Sequence, residues 1–408
     1  MNGTYQIYKR NMETGIREKL IERYTELSVT LNWGDMSKFT IKGKTSGDME
    51  LDAGDGIAIY RDGEFLLGGI IETLDVNCEN VYANLKEWTA SGKEDSIVFS
   101  QYLVFPNPTN VTFDNEAVDK VTDYADNRQI YYIRRNMGAD AMQNRRITGL
   151  VIEAGLNRGQ SAESAYRYKT VEEVIKEIGK ETDDDDVANN IYPKFIWNPL
   201  TGVKSVEIQE QRDMTESVIL SPDFGNITGW SKSHKLPKCN AVWVVSGEYP
   251  DQNNEDKYLR NYTYMEDAES IEKYGRIEKV VTKGDIKVVY ADPQKPDIVP
   301  VSAEEVVDLL TKEGKAYLEE NAYKEKFTAT MVETPELQFM LHWKCGDLVT
   351  CMIDGQKFAS TIKTVSVDYS NGFEKVKPTI GENDKGQFAE LFEQINGLEI
   401  RMNTEELS

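Results

Sequence analysis

Gly346-Asp347-Leu348-Val349 opens the stretch on which the fold turns, and the reading runs on to Gly381. Leu348 to Ile353 has strand character, Asp354-Gly355 makes a tight turn, and Phe358 to Val367 forms a second strand. Asn371-Gly372 turns the chain again into a third strand, Phe373 to Ile380. Asp-Gly and Asn-Gly suit two-residue hairpins because both central positions of a type I′ turn need φ > 0. The arrangement recurs near the N-terminus, where Gly54-Asp55-Gly56-Ile57-Ala58-Ile59 leads to Asp62-Gly63 and a strand reaching Ile70. The Gly-Asp pairs, the Asp-Gly pairs and Ile70/Ile362 share one offset, 346 − 54 = 292 residues. Three features in register, each copy followed by a turn and a third strand, predict two related antiparallel β units with other material between them. The competing reading is two unrelated hairpins.

The chain of 408 residues is long enough for two to four domains, and its 39% apolar and 29% charged content supports real cores. No apolar run reaches the 18 residues a membrane helix needs. Met1 to Leu20 is polar and charged, so the expectation is synthesis in the cytoplasm without secretory export. The formal net charge of −23 argues against sequence-independent nucleic-acid binding, which needs Lys and Arg to displace counterions. A negative surface also suits a passage through which DNA moves without sticking. Cys78, Cys239, Cys345 and Cys351 form no Cys-x-x-Cys pair and are expected to be free thiols. His342, Cys345 and Cys351 fit no usual zinc spacing, and no metal is expected.

Taken in order, Thr4 to Arg10, Leu27 to Trp33, Lys38 to Ile41 and Val81 to Trp88 read as strands, so residues 1–92 form an all-β unit, a small barrel or sandwich. Residues 93–215 read as an inserted α+β domain, with helical spacing over Asp114 to Asn127 and a strand over Arg145 to Ile152. Thr170 and Glu173 form a capping box opening a second helix. Strands follow at Tyr192 to Trp197 and Ser205 to Gln209. Residues 216–250, with the apolar strand Asn240 to Ser246, combine with 321–384 into the second β unit. Residues 251–320 are a small inserted domain, with Tyr249 to Asp256 as a polar loop and Ser302/Glu305 capping a helix. In the last segment, 385–408, Phe388, Leu391, Ile395, Leu398 and Met402 are spaced 3, 4, 3, 4. That is a two-heptad seam, which either meets its copies around a three-fold axis or packs on its own domain.

Catalytic motifs are missing from the sequence: there is no Gly-x-Ser-x-Gly, P-loop, dinucleotide fingerprint or His-Glu-x-x-His. Carboxylate pairs can be drawn anywhere among 70 acidic residues and carry no signal. Asp183 to Asp186 lacks the spaced ligands and glycine of an EF-hand and reads as a solvated turn. No catalytic, cofactor or metal residue is therefore expected, and the chain reads as a non-enzyme.

The Gly54-Asp55 and Gly346-Asp347 hairpins and the Ala90-Ser91-Gly92 junction leading to Tyr102-Leu103-Val104-Phe105-Pro106 resemble the baseplate hub proteins of tailed phages. Phe224-Gly225-Asn226-Ile227 and Gly381 extend the likeness over about residues 1–382, to the tail-associated proteins of siphophages of Gram-positive hosts. The resemblance implies a mainly β fold with two tail-tube-like antiparallel β-barrels per chain, two smaller inserted domains and a C-terminal helix. It implies a homotrimeric structural hub with pseudo-six-fold symmetry at the virion tail tip. Such a hub closes or extends the tail tube and forms part of the DNA ejection channel. Its partners would be a hexameric distal tail or tube protein, the tape-measure protein and a fibre or receptor-binding protein. The alternative from another class is a glycan-binding or glycan-cleaving tail protein using Trp197, Trp230 and Trp243 as sugar platforms, against which stands plain burial of the tryptophans.

Overall fold

A computed structural model describes residues 3–80, 85–107, 118–180, 191–291, 300–331 and 334–381. The five seam residues of the C-terminal helix and the run Asp183 to Asp186 lie outside the described residues. The chain divides into two compact units, 1–231 with 327–408, and 232–326.

The first unit begins with β1 (Tyr5–Arg10), β2 (Arg17–Leu20), β3 (Tyr24–Asn32), β4 (Lys38–Thr45), β5 (Gly56–Arg61), β6 (Glu64–Asn80) and β7 (Leu85–Glu94). An α+β segment follows, with β8 (Asp119–Tyr124), α1 (Ala125–Met137), β9 (Leu150–Ile152), β10 (Ser161–Tyr166), α2 (Val171–Lys180), β11 (Ile191–Trp197) and β12 (Lys204–Glu210). The chain then passes through β13 (Ile219–Leu220) and β14 (Ile227–Lys235) into the second unit. That unit holds β15 (Ala241–Ser246), β16 (Tyr249–Asp251), β17 (Asn254–Leu259), β18 (Tyr262–Glu266), α3 (Ala268–Tyr274), β19 (Glu278–Lys283) and α4 (Ala303–Glu320). The return runs through β20 (Lys324–Met331), β21 (Leu348–Ile353), β22 (Gln356–Ser370) and β23 (Phe373–Gly381).

One sheet carries most of the first unit, in the order β14-β20-β23-β22-β3-β4-β7-β6-β5-β1-β2, with β13 and β21 attached beside β22. Among the described strands this is an open path rather than a closed ring. The order β14-β20-β23-β22 matches β3-β4-β7-β6 strand for strand, so the repeat seen in the hairpins extends to four strands. The 232–326 unit is inserted between β14 and β20, where the first copy has only the short loop from β3 to β4.

The two copies agree in atomic detail. Gly54 and Gly346 have φ of +92° and +96°, where a side chain is strained. The Asp55 carboxylate accepts the Asp52 amide at 2.7 Å, and the Asp347 carboxylate accepts the Lys344 amide at 2.6 Å. Each is also held by a cation, Lys9 in one copy and Arg212 in the other, both at 2.7 Å. Asp62-Gly63, Asp354-Gly355 and Asn371-Gly372 all take the double positive φ of the expected turns. One detail of the sequence register is corrected. Gly54 donates to Ile71 and Gly346 to Ile362, both at 2.8 Å, so the partner of Ile362 is Ile71, not Ile70. The cause is a bulge between Ile59 and Tyr60 that the second hairpin lacks. A further bulge follows Ile71 in β6 and Ile362 in β22 alike.

Buried charge ties the parts together. The Arg61 guanidinium clamps the Glu374 carboxylate at 2.8 and 2.9 Å and donates to the Phe339 carbonyl. Glu374 also accepts the Tyr5 hydroxyl and the Gly3 amide. Arg10 joins β1 to the α+β segment, donating to Asp95 at 2.7 Å and to the Trp197 carbonyl at 3.1 Å while lying over the Trp197 ring. Isolated, such charges would be expensive; paired and hydrogen-bonded, they hold each domain edge in register.

Several local expectations change. The helix expected over Asp114 to Asn127 is, in its described part, strand β8 to Tyr124, paired along its length with β10; the helix starts at Ala125. Arg145 to Ile152 yields only the short β9. The loop expected from Tyr249 is the hairpin β16–β17. Asn240 to Ser246 does not join the second β unit, because β15 pairs with β18 and β19 and packs its Val242 and Val244 in the core of the 232–326 unit. Both expected capping boxes are present: Thr170 and Ser302 each accept the amide three residues on, and Glu173 and Glu305 reach back.

Candidate functional site

Period-two alternation gives the shared sheet two unlike faces. Leu27, Val29, Phe39, Ile41, Trp88, Ala90, Val365, Val367 and Val376 are buried on one. The other is largely polar across β23, β22, β3, β4, β7 and β6, with Phe373 exposed at its end. One row reads Lys375, Asp368, Ser28, Thr40, Ser91, Thr73. The next reads Phe373, Ser370, Glu26, Lys42, Thr89, Asp75. Several charges on it are paired: Lys42 with Glu26 at 2.8 Å, Lys44 with Glu87 at 2.5 Å and Lys93 with Glu72 at 3.3 Å. Ser28 on β3 donates to Asp368 on β22 at 2.7 Å, across the junction of the two copies. Among the described residues, such a face offers short hydroxyls and paired charges but no nucleophile with a base and no cluster of metal ligands.

The edges of the sheet are the second feature. Within the chain, β22 of one copy pairs antiparallel with β3 of the other, Thr364 opposite Asn32 through Ser370 opposite Glu26. The equivalent edge of the first copy is the second half of β6, beyond Ile71. Among the described residues that edge carries no strand, since β5 reaches only Ile70. The effect on burial is direct. Val367 is 0% exposed, whereas its counterpart Val76 is 46% exposed. Leu74 is only partly buried where Val365 is fully so. At the opposite end of the path stands β14, the counterpart of β3. The sequence reading ended this strand at Ile70 and missed the edge. The alternation Leu74, Val76, Cys78 was the available signal, and the bulge at Glu72 broke its phase.

Two of the four thiols are chemically quiet. Burial pushes Cys345 and Cys351 each up to about 12, and Cys345 points at the carbonyls of Leu31, Ile362 and Lys363. The expected sugar platforms divide: Trp197 is buried under Arg10, while Trp230 and Trp243 are 40% and 36% exposed. Phe388, Leu391, Ile395, Leu398 and Met402 lie outside the described residues.

Compared with known proteins, residues 4–382 match the model of one family, described as Siphovirus ReqiPepy6 Gp37-like protein. No curated protein matches the chain. Among solved structures, the 43 kDa tail protein of prophage MuSo2 from Shewanella oneidensis is similar, at a TM-score of 0.55 and 9% identity, over 92% of this chain and 97% of that one. The tail protein from Neisseria meningitidis MC58 is similar at a TM-score of 0.51 and 12% identity, over 93% of this chain and 97% of that one. At such identity the likeness is one of fold.

Proposed function

Because the chain belongs to the Siphovirus ReqiPepy6 Gp37-like protein family, we propose that it is a structural hub of a phage tail tip, a homotrimer whose six β repeats ring a channel. Its place is the tail of the virion. The observation that carries the trimer is the edge of β6. The chain contains the joint that a ring needs, β22 of one repeat on β3 of the next. It also ends in the two halves of an identical joint, the β6 edge from Thr73 to Asn80 and β14. Pairing the β6 edge of one copy with β14 of the next repeats the internal step between chains. Such a head-to-tail contact closes into a ring when the rotation permits. It also covers Leu74 and Val76 and removes an edge that would otherwise template aggregation.

In that ring each repeat closes its sheet in the manner of a tube-type barrel, and the polar face lines the channel. Ser, Thr and paired charges there would let DNA move without binding. The C-terminal seam of Phe388, Leu391, Ile395, Leu398 and Met402 would meet its copies on the three-fold axis, since tethering supplies the proximity that two heptads lack. The pseudo-six-fold end would stack on a hexameric distal tail or tube protein and admit the tape-measure protein, and the three-fold end would mount a fibre or receptor-binding protein. The role is that of a scaffold rather than a catalyst. Light scattering on the purified chain tests the reading. The expected mass is three times that of the 46.4 kDa chain, falling to one chain in Val76→Asp. A single-chain mass for the unaltered protein across a hundredfold range of concentration would overturn it.

A further inference from the structure

Among the described residues, the 232–326 unit covers only one face of its three-stranded sheet, β18-β15-β19. On the covered face Val242 and Val244 join Val306 and Leu310 of α4 in a buried core. On the other face Trp243 stands opposite Tyr264 on β18 and Val280 on β19, with Tyr262 next along β18. Trp243 is 36%, Tyr262 63% and Val280 67% exposed. Ring centroids lie 4.6 Å apart for Trp243 and Tyr264, and 5.8 Å for Trp243 and Tyr262. Aromatic side chains bury roughly 150–250 Å² each when covered, so Trp243 and Tyr262 left open beside the half-buried Tyr264 mark a surface kept for use.

The polar tips are fixed in place. Trp243 Nε1 donates to Glu278 Oε1 at 3.0 Å. The Tyr264 hydroxyl donates to Glu266 Oε2 and accepts from Arg276, whose other nitrogen donates to Glu266 at 2.7 Å. Among the described residues, Glu266 Oε1 and Glu278 Oε2 make no hydrogen bond. The platform is therefore an apolar aromatic floor with a planar donor and two spare carboxylate oxygens at its rim.

We propose that this face binds an uncharged oligosaccharide. A pyranose presents C–H groups on one face, which lie on aromatic rings, and hydroxyls around its rim, each both donor and acceptor. Arg276 can donate to such hydroxyls, and the two free carboxylate oxygens can accept from them. The rim holds two carboxylates and one guanidinium, so it repels phosphate or uronate groups and selects a neutral sugar. A protein contact is the less suited occupant, because the exposed aliphatic area of the face is small, with Val280 open and Val245 half-buried opposite Tyr262. The site lies wholly within the 232–326 unit, and the proposal does not depend on how many chains assemble.

The test titrates the full chain with neutral oligomers of glucose, galactose, rhamnose and N-acetylglucosamine, followed by tryptophan fluorescence and calorimetry. At least one series is expected to saturate. Trp243→Ala should weaken that binding tenfold or more, and the more exposed Tyr262→Ala should weaken it with the thermal unfolding temperature unchanged. Glu278→Gln and Arg276→Ala should each weaken it several-fold. Absence of saturation with every series overturns the proposal. So does saturation indifferent to both aromatic variants, or a change in assembly mass on Trp243→Ala without loss of sugar binding, which would assign the face to a protein contact.

Discussion

Arg61 and Glu374 sit 313 positions apart in sequence, and their side chains are 7% and 1% exposed. Removing one member of such a pair strands the other's charge in the interior. Arg61→Ala is expected to cost about 3–5 kcal/mol in chemical denaturation, and Arg61→Ala with Glu374→Gln clearly less than the sum of the two single changes. Burial alone would push the Glu374 carboxyl up, but the Arg61 guanidinium, the Tyr5 hydroxyl and the Gly3 amide outweigh it and hold it below its ordinary 4.5. A carboxyl depressed in the folded state stabilises above its unfolded value and loses that contribution as pH falls through the folded one. Stability should therefore decline as pH drops below about 4.5, and Glu374→Gln should flatten that decline in a pH series of unfolding curves. The two repeat glycines offer a second comparison. A Cβ at Gly54 meets nothing within 4 Å, whereas one at Gly346 falls 2.1 Å from the Trp33 ring. Each alanine forces strained backbone worth roughly 1–2 kcal/mol. Gly346→Ala should lower the melting temperature further than Gly54→Ala, and equal losses would show that Trp33 yields freely.

At the scale of elements, hairpins and caps were legible because local chemistry dictates them. Asp62-Gly63, Asp354-Gly355 and Asn371-Gly372 supply the double positive φ that their tight turns need, and Thr170/Glu173 and Ser302/Glu305 satisfy amides that no helix can. Replacing Ser302 by Ala should cost about 1 kcal/mol, read as a lower unfolding midpoint. What local chemistry could not decide was partnership. Asn240 to Ser246 looked like a strand of the large sheet and is a strand, but its neighbours lie in the inserted unit. The stretch Leu74 to Cys78 lost its phase at the Glu72 bulge, and with it the sign that β6 runs on past its hairpin. Cys78 on that edge is half-buried in the single chain and gives a native probe. Its reaction with a thiol reagent should be measurable in dissociated Val76→Asp and at least tenfold slower in the assembled protein. Equal rates would place the edge outside the contact.

For the whole molecule, the proposed ring rests on the four-strand repeat, the shared polar face and the β6 edge, which carries no further strand among the described residues. The repeat was visible as Gly-Asp and Asp-Gly at one spacing. Its continuation through β14 and β20 was not, because 232–326 separates the two strands in sequence. Leu391→Asp with Ile395→Asp should leave the body folded and weaken trimer closure or fibre attachment; unfolding of the last β unit instead would mean that the segment packs on its own chain. The central claim is tested most directly by imaging purified particles down their axis. A pore surrounded by six similar densities is expected, three of them bearing the additional mass of the 232–326 unit. A particle without a pore, or one with two-fold symmetry, would contradict it.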